Sequence, residues 1–183
     1  MSDLDHLVVA ARSLEEGAAW VESKLGVAPA AGGKHPLMGT HNLLLRLDAR
    51  RFLEVIAIDP QAPAPSRPRW FELDTPAMHA RLARDPAFIH WVERTDDLEA
   101  AVRDRQDVEI TAFSRGPHRW RMALTRDGSL PGGGRKATLI QWDSGPHPWT
   151  VLPETGVSLL EFHPGNPDLQ ATFVTPSGTR TIP

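Results

Sequence analysis

Cysteine is absent from the 183 residues, and so is tyrosine. Without thiols there are no disulfides, thiolate zinc sites, iron–sulfur clusters or cysteine nucleophiles, so any metal would have to sit on His, Asp, Glu or a neutral oxygen. Excess charge of one sign is also missing. The formal net charge is -3, which argues against a basic nucleic-acid surface and against an acidic disordered tail. Long apolar runs are missing too, because Arg46, Glu54 or a glycine interrupts each one well short of the ~18 residues a membrane span needs. No basic segment followed by an apolar stretch opens the chain, and a cytoplasmic location is expected. The triple glycine Gly132–Gly134 is followed by neither Lys-Ser/Thr nor a helix and is not a phosphate loop. No nucleophile elbow is present.

What remains is a chain long enough for one domain or two small ones, with eight histidines and six tryptophans. Leu4–Ala10 reads as a buried strand. Ser13 with Glu16 forms a capping box for a helix from Leu14 to about Leu25, where Gly26 stops it. Val27–Thr40 is rich in Gly and Pro and reads as a loop with room for one short strand. Asn42–Leu47 and Phe52–Ile58 form a hairpin around Asp48–Arg51. Pro60, Pro63, Pro65 and Pro68 then mark a linker. After it come a short helix beginning beyond Thr75, a strand Phe88–Arg94, and a helix from Leu98 to about Arg105 capped by Asp96 or Asp97.

Strand, cap and helix thus occur twice. Setting His6 on His90 brings His, Val, Leu and Glu of the two blocks into coincidence, and Glu54 falls on Gln141 once a small drift is absorbed by a longer turn at Asp127–Arg135. This internal repeat is the most informative feature of the sequence. Side chains alternate across a strand, so Leu4, His6 and Val8 share one face while Asp5, Leu7 and Val9 share the other. A pseudo-twofold between the copies would bring His6, His90, Glu54 and Gln141 together as ligands for divalent Fe, Mn, Ni, Co or Zn. Glu54 lies in an apolar strand where an unpaired carboxylate would cost several kcal/mol, so it needs a metal, a protonated His, or Arg46 or Arg51.

Leu4-Asp-His-Leu-Val-Val, Gly39-Thr-His-Asn-Leu-Leu-Leu-Arg-Leu, Phe52-Leu-Glu-Val-Ile-Ala-Ile, Ile89-His-Trp-Val and Leu139-Ile-Gln-Trp-Asp together resemble the vicinal oxygen chelate superfamily, in its glyoxalase-like branch, over about Leu4 to Leu160. The resemblance implies an α+β fold of two βαβββ modules, of the glyoxalase, bleomycin-resistance and extradiol-dioxygenase type, forming a cupped mixed sheet around a metal. The division expected is 1–59 for the first module, 60–87 for the Pro-rich linker with its short helix, 88–145 for the second module, and 146–183 for a C-terminal extension with a further strand. The implied metal ligands are His6, Glu54, His90 and Gln141. Gln141 stands where relatives resembling glyoxalase I carry a Glu that also acts as base, and an amide cannot take a proton.

These readings lead to a metal-dependent lyase or isomerase acting on a small oxygen-bearing substrate, with Glu54 and His41 as catalytic candidates. Trp91, Trp142, Phe52 and Arg115 are the candidates for substrate contact. An Fe(II) dioxygenase using His6, His90 and Glu54, and a non-enzymatic drug-sequestering cup, are the alternatives. The partner is a small molecule, with no nucleic acid or membrane involved, and exposed sheet edges suggest a homodimer.

Overall fold

The computed structural model describes residues 2–165 and 167–183. β1 (Asp3–Ala10) is followed by α1 (Leu14–Leu25), β2 (Ala30–His35), β3 (Thr40–Arg46) and β4 (Phe52–Ile58). After α2 (Pro76–Leu82), the second set is β5 (Ala87–Arg94), α3 (Leu98–Ala101), β6 (Val108–Arg115), β7 (His118–Thr125) and β8 (Thr138–Ser144). One eight-stranded mixed sheet results, in the order β2-β3-β4-β1-β5-β8-β7-β6. Each set contributes half of it. β1 runs parallel to β4, and β5 runs parallel to β8. The halves meet along the antiparallel pair β1/β5, where His6 faces Val92 and Val8 faces His90 on either side of Leu7 and Trp91. That reciprocal register is a pseudo-twofold. The fold is the expected α+β arrangement of two βαβββ modules.

Local chemistry explains the elements. Ser13 Oγ accepts from the Glu16 amide at 3.2 Å, and Gly26 ends α1 in the left-handed region at φ 75, satisfying orphan groups at both helix ends. α3 spans four residues instead of reaching Arg105. Leu98 within it and Val102 at its C-cap are buried, and beyond them Arg103 and Asp104 are exposed, so nothing apolar holds further turns down. Ala30–His35, read as loop with room for a strand, is strand β2. Its register breaks between Ala31 and Lys34, which lets Gly32 and Gly33 swing out of the ladder.

The convex side of the sheet is covered by α1 and by a separate three-stranded antiparallel sheet of β9 (Ser158–His163), β10 (Gln170–Thr175) and β11 (Gly178–Ile182). Leu159, Ala171, Phe173 and Ile182 pack there on Leu7, Val9, Phe88 and Trp91. The extension therefore adds three strands where one was expected.

The concave side is filled by the Pro-rich segment. Trp70, Phe71 and Leu73 pack on Val8, Ile56, Val92, Met122 and Ile140. Phe71 and Glu72 hold φ of 59 and 61, conformations that cost about 1–3 kcal/mol each for non-glycine residues. Burying three large apolar side chains returns about 1.5–3 kcal/mol apiece, and the segment is stitched down by Glu72 N donating to Gly128 O at 2.8 Å. The linker is thus a plug. At the two ends of the sheet, β2 and β6 curl into contact. Among the described residues, no helix is long and apolar enough to cross a membrane.

Candidate functional site

Asp5 and His6 are consecutive strand residues and would ordinarily point to opposite faces. A register shift between Leu4 and His6 makes Asp5 an extra residue on β1, and this bulge turns it to the same side as His6. Asp5 Oδ1 accepts from His6 Nδ1 at 2.6 Å, and its other oxygen accepts from Trp142 Nε1 at 3.0 Å. The carboxylate is 0% exposed. With Nδ1 committed as donor, His6 Nε2 is directed at Glu54 Oε2, 3.8 Å away. Glu54 is itself held from the other side, where Asn42 Nδ2 donates to Oε1 at 2.6 Å.

Asn42 continues the chain of contacts. Its Oδ1 accepts from Gly33 N at 2.8 Å and from an Arg115 guanidinium nitrogen at 3.2 Å. The bulged glycines make this possible, since a Cβ on Gly32 would lie 2.1 Å from Asn42 Oδ1 and one on Gly33 would lie 2.5 Å from Arg115 Cδ. Arg115 therefore crosses the seam between the sheet ends to reach a residue of the first module. Nearby, His35 hydrogen-bonds Thr40 Oγ1 at 3.1 Å. Burial, reinforced by Arg115 and His6, pushes the His35 pKa down to about 3, so it is a neutral wall.

His6, His35, Asn42, Glu54 and Arg115 border one cavity of about 40 Å³, walled otherwise by rings including Phe52, Trp70, Phe71, Trp120 and Trp142. His6 stacks on Phe52 with centroids 4.5 Å apart. Of the expected site residues, His6, Glu54, Phe52, Trp142 and Arg115 are therefore together. Glu54 finds its partners in Asn42 and His6. Arg46 and Arg51 instead pair with Glu154 and Asp48.

The remaining expectations are corrected. Gln141 lies on the far side of β8, where its Oε1 accepts from the Leu98 amide at 2.8 Å and helps to cap α3. The register pairs Val8 with Glu54 and Val92 with Thr138, so the counterpart of Glu54 under the repeat is Thr138, with no drift. His90 Nε2 sits 2.9 Å from Thr138 Oγ1 and accepts from Thr138 N at 3.2 Å. Its ring lies 5.3 Å from Phe71 of the plug, and burial, then His6, pushes its pKa down to about 3. Trp91 packs on the convex side, with Nε1 donating to Glu93 at 3.0 Å. His41 alternates with Asn42 on β3 and faces the side of Glu15 and Asp59; it does not border the cavity.

The repeat explains the asymmetry between the halves. The bulge at Asp5 recurs at Ile89, because Val8 pairs with His90 and Val9 with Phe88. Asn42 opposes Ile56 as Met122 opposes Ile140. Asp5, His6, Asn42 and Glu54 thus correspond to Ile89, His90, Met122 and Thr138. Only the histidine keeps its type. His90 Nδ1 has no partner among the described residues because the position that would supply a carboxylate holds isoleucine.

The superfamily's divalent metal does not fit this donor set. His90 Nε2 is occupied by a backbone N–H that can only donate, Thr138 replaces a carboxylate, and Gln141 faces away. Of the four expected ligands, His6 Nε2 and Glu54 Oε2 remain in the cavity, beside the Arg115 cation. No group of three His, Asp or Glu side chains able to hold an ion occurs among the described residues.

The chain matches the glyoxalase-like domain family over residues 4–175. A solved structure of a hypothetical protein from Staphylococcus aureus is similar, with a TM-score of 0.53, 13% identity, and 96% of this chain and 82% of that chain covered. Methylmalonyl-CoA epimerase from Mycobacterium tuberculosis aligns with a TM-score of 0.48 and 19% identity, covering 78% of this chain and 88% of that one. No curated protein matches the sequence.

Proposed function

The chain belongs to the glyoxalase-like domain family of the vicinal oxygen chelate superfamily, and from that premise and the geometry of its first-module site we propose that it is an isomerase of small α-hydroxy carbonyl compounds that works by proton transfer between side chains. The observation that carries this reading is the facing pair His6 Nε2 and Glu54 Oε2, 3.8 Å apart, each fixed from behind, by Asp5 and by Asn42. Geometry fixed by supporting hydrogen bonds is what general acid–base catalysis requires.

The step uses Glu54 as the base and His6 as the acid. Glu54 Oε2 takes the proton from the C–H beside the carbonyl. His6 Nε2–H gives its proton to the carbonyl oxygen, and an enediol forms. Glu54 then returns its proton to the neighbouring carbon while His6 recovers one from the other hydroxyl, so carbonyl and hydroxyl exchange places and both side chains are restored. The aromatic walls keep bulk water from competing.

The fit of the donors disfavours the metal-dependent version of this chemistry and the iron dioxygenase alike, since both need the second histidine. Deuterium wash-in to hydroxyacetone in D2O, followed by NMR, tests the proposal. The protein is expected to accelerate exchange at the hydroxymethyl carbon, and Glu54→Gln to cut that acceleration by about 100-fold or more. Saturable binding without exchange would leave the sequestering reading in its place.

A further inference from the structure

Arg115 is the least explained group of the cavity. It is half-buried, and burial pushes its pKa down while Glu54 acts in the opposite sense. Among the described residues its polar contact is one neutral oxygen, Asn42 Oδ1 at 3.2 Å, and no carboxylate lies within ion-pair distance of it. The side chain lies over Trp120, with 6.0 Å from the guanidinium carbon to the ring centroid. Bringing it there takes two devices, the bulged Gly33 that yields to its Cδ and the curl that closes β2 on β6. A guanidinium desolvated without a counter-ion is costly, and a guanidinium presents its donors as a planar fork that matches a carboxylate.

We propose that the substrate carries a carboxylate, held by Arg115, next to the carbon and oxygen on which Glu54 and His6 act: a short α-hydroxy-carbonyl acid. This deepens the isomerase reading above and rests on it. The amide of Asn42 alone separates the guanidinium from Glu54, which places the anion about one functional group away from the reacting C–H. The cavity is small, about 40 Å³, so the substrate is a short one. Trp120 and Trp142 pack on each other, with centroids 5.6 Å apart, and an inorganic anion would engage Arg115 without the contacts to His6 and Glu54 that a hydroxy-carbonyl acid adds.

Hydroxypyruvate and hydroxyacetone differ by a carboxylate in place of a methyl group and form the test pair. Tryptophan fluorescence titration of the intact protein is expected to show hydroxypyruvate binding tighter by about 10- to 100-fold, the range for a charge-assisted contact, with inorganic phosphate a poor competitor. Arg115→Met is expected to erase that preference and to leave the melting temperature of the ligand-free protein unchanged or higher, because it removes an unpaired cation; a purely structural arginine would lower it. Arg115→Lys is expected to retain part of the preference. Equal affinity for the two compounds, which needs no variant to observe, overturns the proposal, as does phosphate competing as well as hydroxypyruvate. Glu54→Gln separates the two claims: retained preference for hydroxypyruvate with lost exchange supports both. Preference without exchange in the unaltered protein removes the isomerase reading while the anion site stands, and exchange on hydroxyacetone with no preference removes only the carboxylate.

Discussion

Asp5 illustrates how one backbone irregularity decides chemistry. Regular alternation would send its carboxylate to the convex side, beside Leu7 and Val9, where it would be buried unpaired. The bulge brings it instead onto His6 and Trp142, and His6 is thereby fixed with Nε2 toward Glu54. Asp5→Ala should release that orientation. Its exchange rate is expected to fall by about 100- to 10,000-fold, on the scale seen when a histidine loses its orienting carboxylate, and the 15N NMR shift of His6 Nδ1 should report the loss of its hydrogen bond. Asn42→Ala should act on stability as well, because it strips partners from Glu54, Gly33 N and Arg115 together. A loss of about 1–3 kcal/mol per orphaned group, read by urea unfolding, is expected.

Elements set these residues in place by unusual local structure. Gly32 and Gly33 interrupt β2 so that its backbone serves the site, and Gly32→Ala is expected to destabilise the fold by about 1–3 kcal/mol through overpacking on Asn42. The Pro-rich segment was legible as something other than helix or ladder, yet its role was not. Prolines announce what a segment cannot be, whereas Trp70 and Phe71 become the cup's filling only because Gly128 and Leu130 are there to hold Glu72. Phe71→Ala should cost about 3–5 kcal/mol in urea unfolding, as large-to-small core changes do, and should relieve the ring that lies against His90.

Across the whole molecule, burial of His35 and His90 links stability to pH. Both pKa values fall from 6.5 to about 3 on folding. Below about pH 6.5 the unfolded chain binds protons that the folded protein refuses, so stability declines as the pH is lowered toward 3, at up to ~1.4 kcal/mol per pH unit for each histidine. Urea midpoints across this window should show the decline, and His90→Gln should reduce the slope by roughly half. A protein equally stable at pH 4.5 and 6.5 would contradict the burial of both rings.

Without thiols the histidines and Glu54 stood out, and the strand pattern, helix caps and internal repeat were legible because periodicity, capping and turn chemistry are local, while the α+β fold of two βαβββ modules was implied by the resemblance that the motifs carry. The same pattern singled out His6 and Glu54, which border one cavity, since a carboxylate in an apolar strand needs a partner wherever the strand goes. Register is not local. A small error in the offset exchanged Thr138 for Gln141 and so exchanged faces, the bulges hid Asp5, and His41 and Trp91 were on the wrong side of their strands. Whether two histidines form one site or two unequal ones was decided by tertiary structure, in the pairing of β1 with β5, the plug over His90, and the curl that carries Arg115 to Asn42. Those depend on contacts between distant residues, whose energies no stretch of the sequence contains by itself.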